Sequence, residues 1–240
     1  MWRRVAAIYG VSIGRILRDK IGDCVYSGPF KGMKLTPCML SGLFAPHLLG
    51  CYEHELHRTV ERVIASPYTT ILNIGCSNGY YSIGLALRMP QATVHAFDTD
   101  EKAQNGCRDM AALNGVANRV QIGGAFDGEG FARFAGTGTL LLMDIEGAEQ
   151  HLLDPASWPA LQTMDIIVEL HECNTAGITQ TITDRFAATH DIVIVRNRSI
   201  HFPLESLLGD DVYLDHFDNM VVTFEGRAGP TPWAVMRRKK

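Results

Sequence analysis

The residues best suited to chemistry follow a run of four apolar residues in the stretch LLLMDIEGAEQHLL (140–153). Asp144 and Glu146 appear abruptly where a buried segment is predicted to end, and Gly147 lets the next turn pass close to a ligand. Two roles suit these acids: a carboxylate that accepts a proton from a substrate hydroxyl, or a ligand to a divalent metal that lowers the pKa of that hydroxyl. We interpret Glu149 as a first-turn acid that is stabilised by the helix dipole.

A second group of candidates lies in the stretch VELHEC (168–173). Glu169 and His171 point to the same face if the strand continues to residue 171. His171 is the better base near neutral pH, because the ordinary pKa of imidazole is about 6.5. Alternatively Asp144, Glu169 and His171 surround Mg²⁺ or Mn²⁺; we prefer the metal-free base because no short ligand motif fixes a metal geometry. The candidate catalytic residues are Asp144, Glu146, Glu169 and His171.

Alternating strand and helix patterns must position these residues. Short apolar or β-branched runs predict strands at 69–75, 92–98, 119–124, 139–144, 164–170 and 191–195. Helical patterns lie between them, and the near-continuous apolar strands predict an α/β fold with a parallel sheet covered on both faces. The segment NMVVTFEG (219–226) is predicted to be a last strand that closes the sheet edge. Ligands of such sheets bind beyond the carboxyl ends of the strands.

The turn after the first predicted strand, NIGCSNGYYSIG, indicates a ligand of the nucleotide type. Gly75 and Gly79 stand where a backbone has to approach a ligand. Ser77 replaces the second glycine of a dinucleotide fingerprint, which disfavours a pyrophosphate and favours a ligand with an amino-acid end and a nucleoside end. Asp98 closes the second strand 19 residues after Gly79, as expected for an acid that accepts ribose hydroxyls. The alternative is an ordinary turn with a helix-capping aspartate.

Four segments, ILNIGCSNGYYSIGLA, VHAFDTD, LNGVANRV and LLMDIEGAE, together resemble class I S-adenosyl-L-methionine (SAM)-dependent methyltransferases of the FkbM type. The resemblance covers roughly residues 50–195 and implies a Rossmann-like, seven-stranded sheet, mostly parallel with one antiparallel strand, and O-methylation. The family usually has Glu-Pro where this chain has Asp98-Thr99, and the shorter acid still binds a diol. With the adenine side assigned to the region of Asp127, the implied cofactor residues are Asn73, Gly75, Cys76, Ser77, Asn78, Gly79, Tyr80, Asp98, Thr99, Asp127 and Asp144.

The flanking segments are predicted to cover the acceptor. Residues 1–66 form an N-terminal extension or lid of helix, hairpin (26–37) and helix, and residues 67–240 form the methyltransferase domain with an acceptor-covering insertion at 198–218. The stretch MWRRVAAIYGVSIGRILRDK (1–20) predicts an amphipathic helix rather than a signal peptide, because basic residues follow the apolar run and no A-x-A cleavage site is present.

The stretch LLGCYEHELHRTVERVI (48–64) is predicted to be a solvated or lid-facing helix. His54 and His57 share one face at a spacing compatible with a metal, but nothing nearby in the sequence completes a site. The family resemblance implies that Tyr52 and Glu53 contact the methionine end of the cofactor or the substrate.

The carboxyl-terminal tail is predicted to be solvated or disordered at its basic end, residues 237–240. Arg227 and Trp233 are candidates for shaping an acceptor pocket.

Composition narrows the range of partners. With 240 residues, 46% of them hydrophobic, the chain can bury a full core, and its net charge of −4 argues against a surface that tracks nucleic-acid phosphates. Six cysteines without a C-x-x-C pair indicate neither a zinc knuckle nor a disulfide framework, which fits reduced thiols in a cytoplasm. No run approaches the ~18 apolar residues of a membrane span, although the N-terminal helix could touch a membrane surface or a second subunit.

The sequence therefore predicts a cytoplasmic SAM-dependent methyltransferase that modifies a hydroxyl of a small acceptor, such as a sugar of a polysaccharide or a secondary metabolite. Two alternatives stay open. An RNA methyltransferase is disfavoured by the net charge and by the lack of an N-P-P-Y-like motif after the fourth strand. A cofactor-binding scaffold without catalytic activity is disfavoured by the intact acid cluster.

Overall fold

The computed structural model describes residues 2–36, 39, 44–204, 207 and 215–239, with side chains from residue 9 onward. The chain divides into two compact units, Met1–His57 with Arg198–Arg227, and Arg58–Asn197 with Ala228–Lys240. The division predicted from the sequence, 1–66 and 67–240, stays a prediction. Within the described part of the chain, no helix combines the length and the apolar character that a membrane crossing requires.

A seven-stranded sheet forms the second unit, as predicted. Its strands are β1 (Thr70–Ile74), β2 (Thr93–Phe97), β3 (Val120–Gly123), β4 (Thr139–Met143), β5 (Asp165–Glu169), β6 (His190–Val195) and β7 (Trp233–Arg238). Their spatial order is β3-β2-β1-β4-β5-β7-β6, and β7 runs antiparallel to both of its neighbours while the other pairs are parallel. The α/β, Rossmann-like, mostly parallel fold is therefore confirmed.

Some of the helices belong to the second unit and cover this sheet, and the others belong to the first unit. They are α1 (Trp2–Ile21), α2 (Phe44–Leu49), α3 (His57–Ile64), α4 (Tyr80–Arg88), α5 (Glu101–Leu113), α6 (Glu149–Leu152), α7 (Ile178–Phe186) and α8 (His216–Val222). Asp100 caps α5, since its side chain accepts a hydrogen bond from the backbone N–H of Lys102. On the face of β4 and β5, buried Leu141 and Ile166 pack in one cluster with Phe186 of α7. This core fixes the strand ends where the predicted site residues lie.

The last strand differs from its prediction. Residues 219–226 were expected to form it, but α8 ends at Val222 and the strand is Trp233–Arg238. The reason is a capping box: the Asp215 side chain accepts hydrogen bonds from the N–H groups of Phe217 and Asp218, and the Asp218 side chain accepts one from the N–H of Asp215. The basic end was expected to be solvated or disordered; Arg238 is ordered in β7 and pairs with Asp165 at 3.2 Å, while Arg237 and Lys239 are exposed. Lys240 lies outside the described residues.

The predicted helix at 48–64 is broken in the structure. α2 ends at Leu49, Gly50 has φ +72°, and a 3₁₀ turn (His54–Leu56) precedes α3. Gly50 needs its positive φ, and a Cβ there would overlap the carbonyl oxygen of Ser27. The broken helix still leaves the rings of His54 and His57 adjacent, with centroids 4.9 Å apart.

The first unit contains the predicted N-terminal helix and a hairpin-like loop. Ile13 and Leu17 of α1 are buried, and α1 packs against α2 and α8. An antiparallel bridge joins Cys24 to Lys34, so the chain reverses direction as expected for this stretch. Of the residues predicted to cover the acceptor, 1, 37, 38, 40–43, 205, 206 and 208–214 lie outside the described residues.

Candidate active site

A cavity of about 500 Å³ opens beyond the carboxyl ends of β1, β2 and β4. β1 lies between β2 and β4, so the strand order reverses at this point, which is where open α/β sheets bind ligands. The cavity is lined by five residues predicted to belong to the site, Gly75, Asp98, Thr99, Asp144 and Glu146. The two predicted groups, the glycine turn with its acid and the acid cluster, therefore meet in one cavity.

Gly75 allows the ends of β1 and β4 to touch. Its φ is +83°, and a Cβ at this position would overlap the backbone oxygen of Asp144 and lie 2.7 Å from the carbonyl carbon. The backbone N–H of Gly75 donates a hydrogen bond to the carbonyl oxygen of Phe97, at 2.8 Å, which ties the turn to β2 as well. A glycine is thus required here by the approach of backbone to backbone.

Asp98 is held in place by the two backbone segments beside it. Its Oδ2 accepts a hydrogen bond from the N–H of Ser77 at 2.8 Å, and its Oδ1 accepts one from the N–H of Asp100 at 2.9 Å. Ser77 adopts φ +47°, a left-handed conformation that is uncommon outside glycine. The turn therefore keeps the geometry of a glycine-rich loop, although a serine stands where a dinucleotide fingerprint has glycine.

Other predicted cofactor residues do not line the cavity: Asn73, Cys76, Ser77, Asn78, Gly79, Tyr80 and Asp127. Asn73 donates a hydrogen bond to Ser82 inside the fold, at 2.8 Å. Asp127 caps the 3₁₀ helix Gly128–Phe134 by accepting from the N–H of Gly130, and its neighbour Phe126 lines the cavity instead. Direct contacts of these seven residues with a cofactor stay predictions.

Three of the four predicted catalytic residues surround the buried imidazole of the fourth, His171. Nε2 of His171 lies 3.6 Å from Asp144 Oδ1, 3.4 Å from Glu146 Oε2 and 3.7 Å from Glu169 Oε2. β5 ends at Glu169, so His171 lies just beyond the strand and still faces the same side. The structure thus brings together residues from the ends of two adjacent strands.

Glu149 is the site residue that the sequence interpretation missed. It does begin α6, but it is fully buried, and its Oε1 lies 2.8 Å from Nδ1 of His171. The same oxygen accepts a hydrogen bond from the N–H of Ile145 at 3.2 Å. Leu152 and Leu153 follow Glu149 at helical spacing, a signal that would have placed Glu149 on the buried face of α6.

The acids keep His171 protonated. Burial by itself would lower the pKa of His171, but the hydrogen bond and charge of Glu149, with the charges of Glu169 and Asp144, outweigh burial and raise that pKa to about 9. Burial would likewise raise the pKa of Glu149, yet its hydrogen bond and charge interaction with His171 lower it. With its pKa raised in this way, His171 is a poor proton acceptor near neutral pH.

A divalent cation fits the spacing of this cluster. Asp144, Glu149 and His171 each offer one ligand atom, and these atoms lie within 4.8 Å of one another. However, Nδ1 of His171 is hydrogen-bonded to Glu149, and a metal at Nε2 would have to displace the proton that the raised pKa of His171 favours. We therefore derive no step through a metal.

The residues of the first unit that were predicted to contact a ligand include Glu53 and Arg227, which belong to one network of charges. The Arg227 guanidinium lies 3.6 Å from Glu53, 3.2 Å from Glu55 and 2.8 Å from Glu225. Glu53 has φ +48°, and its N–H donates to Glu225 at 2.7 Å. The Tyr52 ring stacks on His47, with centroids 4.1 Å apart. Roles of these residues toward a cofactor or acceptor stay predictions.

In the second unit, Trp233 begins β7 between Glu169 and Val195 and is buried. Its ring centroid lies 6.4 Å from that of Tyr81. A role for Trp233 in an acceptor pocket stays a prediction.

Compared by sequence, the chain matches no protein-family model and no curated protein. Compared by structure, it is similar to several methyltransferases. An O-methyltransferase from Bacillus cereus in complex with SAH (S-adenosylhomocysteine) is 14% identical with a TM-score of 0.51, and the match covers 96% of this chain and 90% of that chain. An O-methyltransferase from Streptomyces achromogenes involved in tomaymycin synthesis, in complex with SAM, is 13% identical with a TM-score of 0.50 over 96% and 90% of the two chains.

An rRNA methylase from Streptococcus thermophilus is 9% identical with a TM-score of 0.51, over 78% of this chain and 97% of that chain. The chain has the fold of class I SAM-dependent methyltransferases. This methyltransferase fold is common to neighbours named for different acceptors, so it does not identify the acceptor of this chain.

Proposed function

We propose that this protein is a SAM-dependent methyltransferase of the FkbM type that methylates a hydroxyl group of a small acceptor. The observation that carries the proposal is that Gly75, Asp98 and Asp144 all line the same cavity. A cofactor held by the first two residues would present its reactive group to the third. The cavity volume also lies in the range of about 300–1,000 Å³ that is usual for small-molecule sites.

The lining of the cavity suits the two ends of SAM. Asp98 lines the cavity, and each of its carboxylate oxygens accepts one backbone hydrogen bond and keeps a second lone pair that can accept a hydrogen bond from a ribose hydroxyl. Phe126 supplies an aromatic face for an adenine ring, and Gly75 leaves room for the backbone to approach the methionine end. Two of the structural neighbours are described in complex with SAH and SAM, which supports the same cofactor here.

We assign proton acceptance to Asp144. When bound, SAM supplies an electrophilic methyl group, and a hydroxyl acceptor must lose its proton as the new bond forms. Asp144 is about one third exposed and lines the cavity, whereas His171 is buried and already protonated. The imidazolium of His171 offsets the mutual repulsion of the carboxylates around it. Alignment of hydroxyl and methyl supplies much of the remaining catalysis, with effective molarities of ~10⁵ M or more.

The cofactor assignment is tested by calorimetric titration with SAH. We expect the wild-type protein to bind SAH, and Asp98→Ala to weaken binding roughly tenfold or more, because charge-assisted hydrogen bonds to the ribose are lost. Asp100→Ala is the matched control: it removes a neighbouring carboxylate and the cap of α5 but no cavity residue. If wild-type protein does not bind SAH, the methyltransferase proposal is wrong.

The role of Asp144 is tested with methyl-labelled SAM and a panel of sugars and phenols. We expect Asp144→Asn to bind SAH but to transfer methyl about 10²-fold more slowly or worse, since an amide cannot accept the proton. Asp154→Asn, a change at a half-buried residue outside the cavity lining, should keep full activity. EDTA should not alter the rate; a rate lost in EDTA and restored by Mg²⁺ or Mn²⁺ would support the metal role instead.

The same assays separate the alternatives. SAH binding without transfer to any hydroxylated acceptor, unaffected by Asp144→Asn, would point to a cofactor-binding scaffold. Transfer to RNA, with affinity that falls steeply as salt rises, would point to an RNA methyltransferase.

A further inference from the structure

A second cavity, of about 550 Å³, lies on one face of β2 and β3. β3 is the edge strand of the sheet, and the connection from β3 to β4 contains the seven-residue 3₁₀ helix Gly128–Phe134 where a parallel crossover usually carries an α-helix. The short connection leaves part of this sheet face uncovered. The cavity is therefore a consequence of the topology and is distinct from the candidate active site.

Aromatic rings form two of its walls. Phe97 pairs with Gly123 in the register of β2 and β3, and a Cβ at Gly123 would lie 2.6 Å from the Phe97 ring. Glycine thus lets the Phe97 ring lie across β3. On the other side, the Phe134 ring packs edge-on against His95, with centroids 4.7 Å apart. All these side chains are only half-buried, which leaves aromatic surface open to a ligand.

Side chains that can donate hydrogen bonds also line this cavity. Arg133 lies over the Phe134 ring, with Cζ 5.7 Å from the centroid, and forms no ion pair with a carboxylate in the part of the chain that the structure describes. His95 and Gln121 are directly opposite each other in the β2–β3 register. None of the ten described residues that line the cavity is Asp or Glu. The cavity therefore offers positive charge and hydrogen-bond donors with no competing acid.

His95 adds a donor without adding a second fixed charge. Burial, and then the charge of Arg133, lower the pKa of His95 below its ordinary value, so its ring is neutral near neutral pH. A neutral imidazole still carries one N–H that can donate to an oxygen. An anion would find one permanent cation and two uncharged donors in this cavity.

We propose that this cavity is a second ligand site, which binds a small aromatic carboxylate with its ring against Phe97 and Phe134 and its carboxylate at Arg133. The guanidinium matches a carboxylate in two parallel hydrogen bonds. His95 and Gln121 donate to the same group from the sheet. The proposal is independent of the methyltransferase function, because it uses no residue of the SAM site except the shared wall of Phe97.

The test is titration of ¹⁵N-labelled protein with benzoate, benzamide and acetate, followed by NMR. Benzoate is expected to bind at millimolar concentration and to shift the amides of β2 and β3. Benzamide, which lacks the charge, and acetate, which lacks the ring, should bind at least roughly tenfold more weakly. Acetate or benzamide binding as tightly as benzoate would overturn the proposal, as would no benzoate binding at all.

Variants locate the site. Arg133→Met keeps the length of the side chain and should weaken benzoate binding roughly tenfold or more, while Arg62→Met, an exposed arginine of α3 outside the cavity, should not change it. Arg133 is exposed, so both variants should unfold at the temperature of the wild type, which a thermal scan checks. Benzoate binding that survives Arg133→Met places the ligand elsewhere and overturns the proposal.

Discussion

Gly75→Ala should abolish SAH binding and lower the free energy of unfolding by about 4 kcal/mol or more, which corresponds to a fall in Tm of about 10 °C. The residue has φ +83°, which strains any side chain, and the added Cβ would overlap the backbone oxygen of Asp144. A backbone atom at the end of a buried strand cannot move aside as a flexible side chain can. The ends of β1 and β4 must separate, and the cavity between them changes shape.

Gly115→Ala is the control for this change. Gly115 also has a positive φ, of +69°, but a Cβ there meets nothing within 4 Å, so only the strain of about 1 kcal/mol applies. SAH titration and thermal unfolding of the two variants separate the effect of backbone strain from the effect of the steric overlap with Asp144. Equal effects of the two substitutions on stability, or normal SAH binding by Gly75→Ala, would show that the contact with Asp144 does not shape the site.

Glu149→Gln should reduce the free energy of unfolding by about 3 kcal/mol near pH 6, because it removes one charge of a buried ion pair and leaves His171 without its closest carboxylate. The pH dependence of this stabilisation follows from the pKa shifts of both residues. The pKa of His171 is raised, so its contribution to stability is fully present below about 6.5 and is lost as the pH rises through about 9. The pKa of Glu149 is lowered, so its contribution is present above about 4.5 and is lost as the pH falls further.

The difference in stability between wild type and Glu149→Gln should therefore be largest between about pH 4.5 and 6.5 and should shrink above about pH 9. Urea unfolding at a series of pH values measures it. Glu129→Gln removes an exposed carboxylate from the same unit and should show little effect at any pH. A Glu149→Gln difference that stays constant from pH 6 to pH 10 would contradict a charged Glu149–His171 pair.

Much of the site was predictable because it depends on local features. The alternation of apolar runs with turns located six strands, and their carboxyl ends located Gly75, Asp98 and Asp144 before any contact was known. The carboxyl ends of neighbouring parallel strands lie at the same edge of the sheet. Residues at these ends are therefore close together regardless of how the helices pack. This is why five of the predicted residues, at the ends of β1, β2 and β4, line one cavity.

The last strand was not predictable in the same way. The segments 219–226 and 233–238 both contain apolar runs of strand length, and a pattern of this size does not distinguish strand from helix. The capping box of Asp215 and Asp218 stabilises the beginning of the first of these segments as part of α8. The second segment forms β7 because it can pair with both β5 and β6 in the sheet. A strand in this position forms hydrogen bonds with two neighbouring strands, and the sequence of one segment does not show which strands will be its neighbours.

The sequence by itself determined the class of fold, the strand ends and the chemical types that gather there, because burial periodicity and turn residues act over a few positions. Only the tertiary structure decided which acid holds His171. Glu149 and His171 are 22 residues apart, and their contact at 2.8 Å depends on how α6 packs beside the end of β5. That contact raises the pKa of the imidazole, which is why we propose Asp144 rather than His171 as the base. Charge interactions of this kind depend on distance in space and on burial, which the order of residues along the chain does not specify.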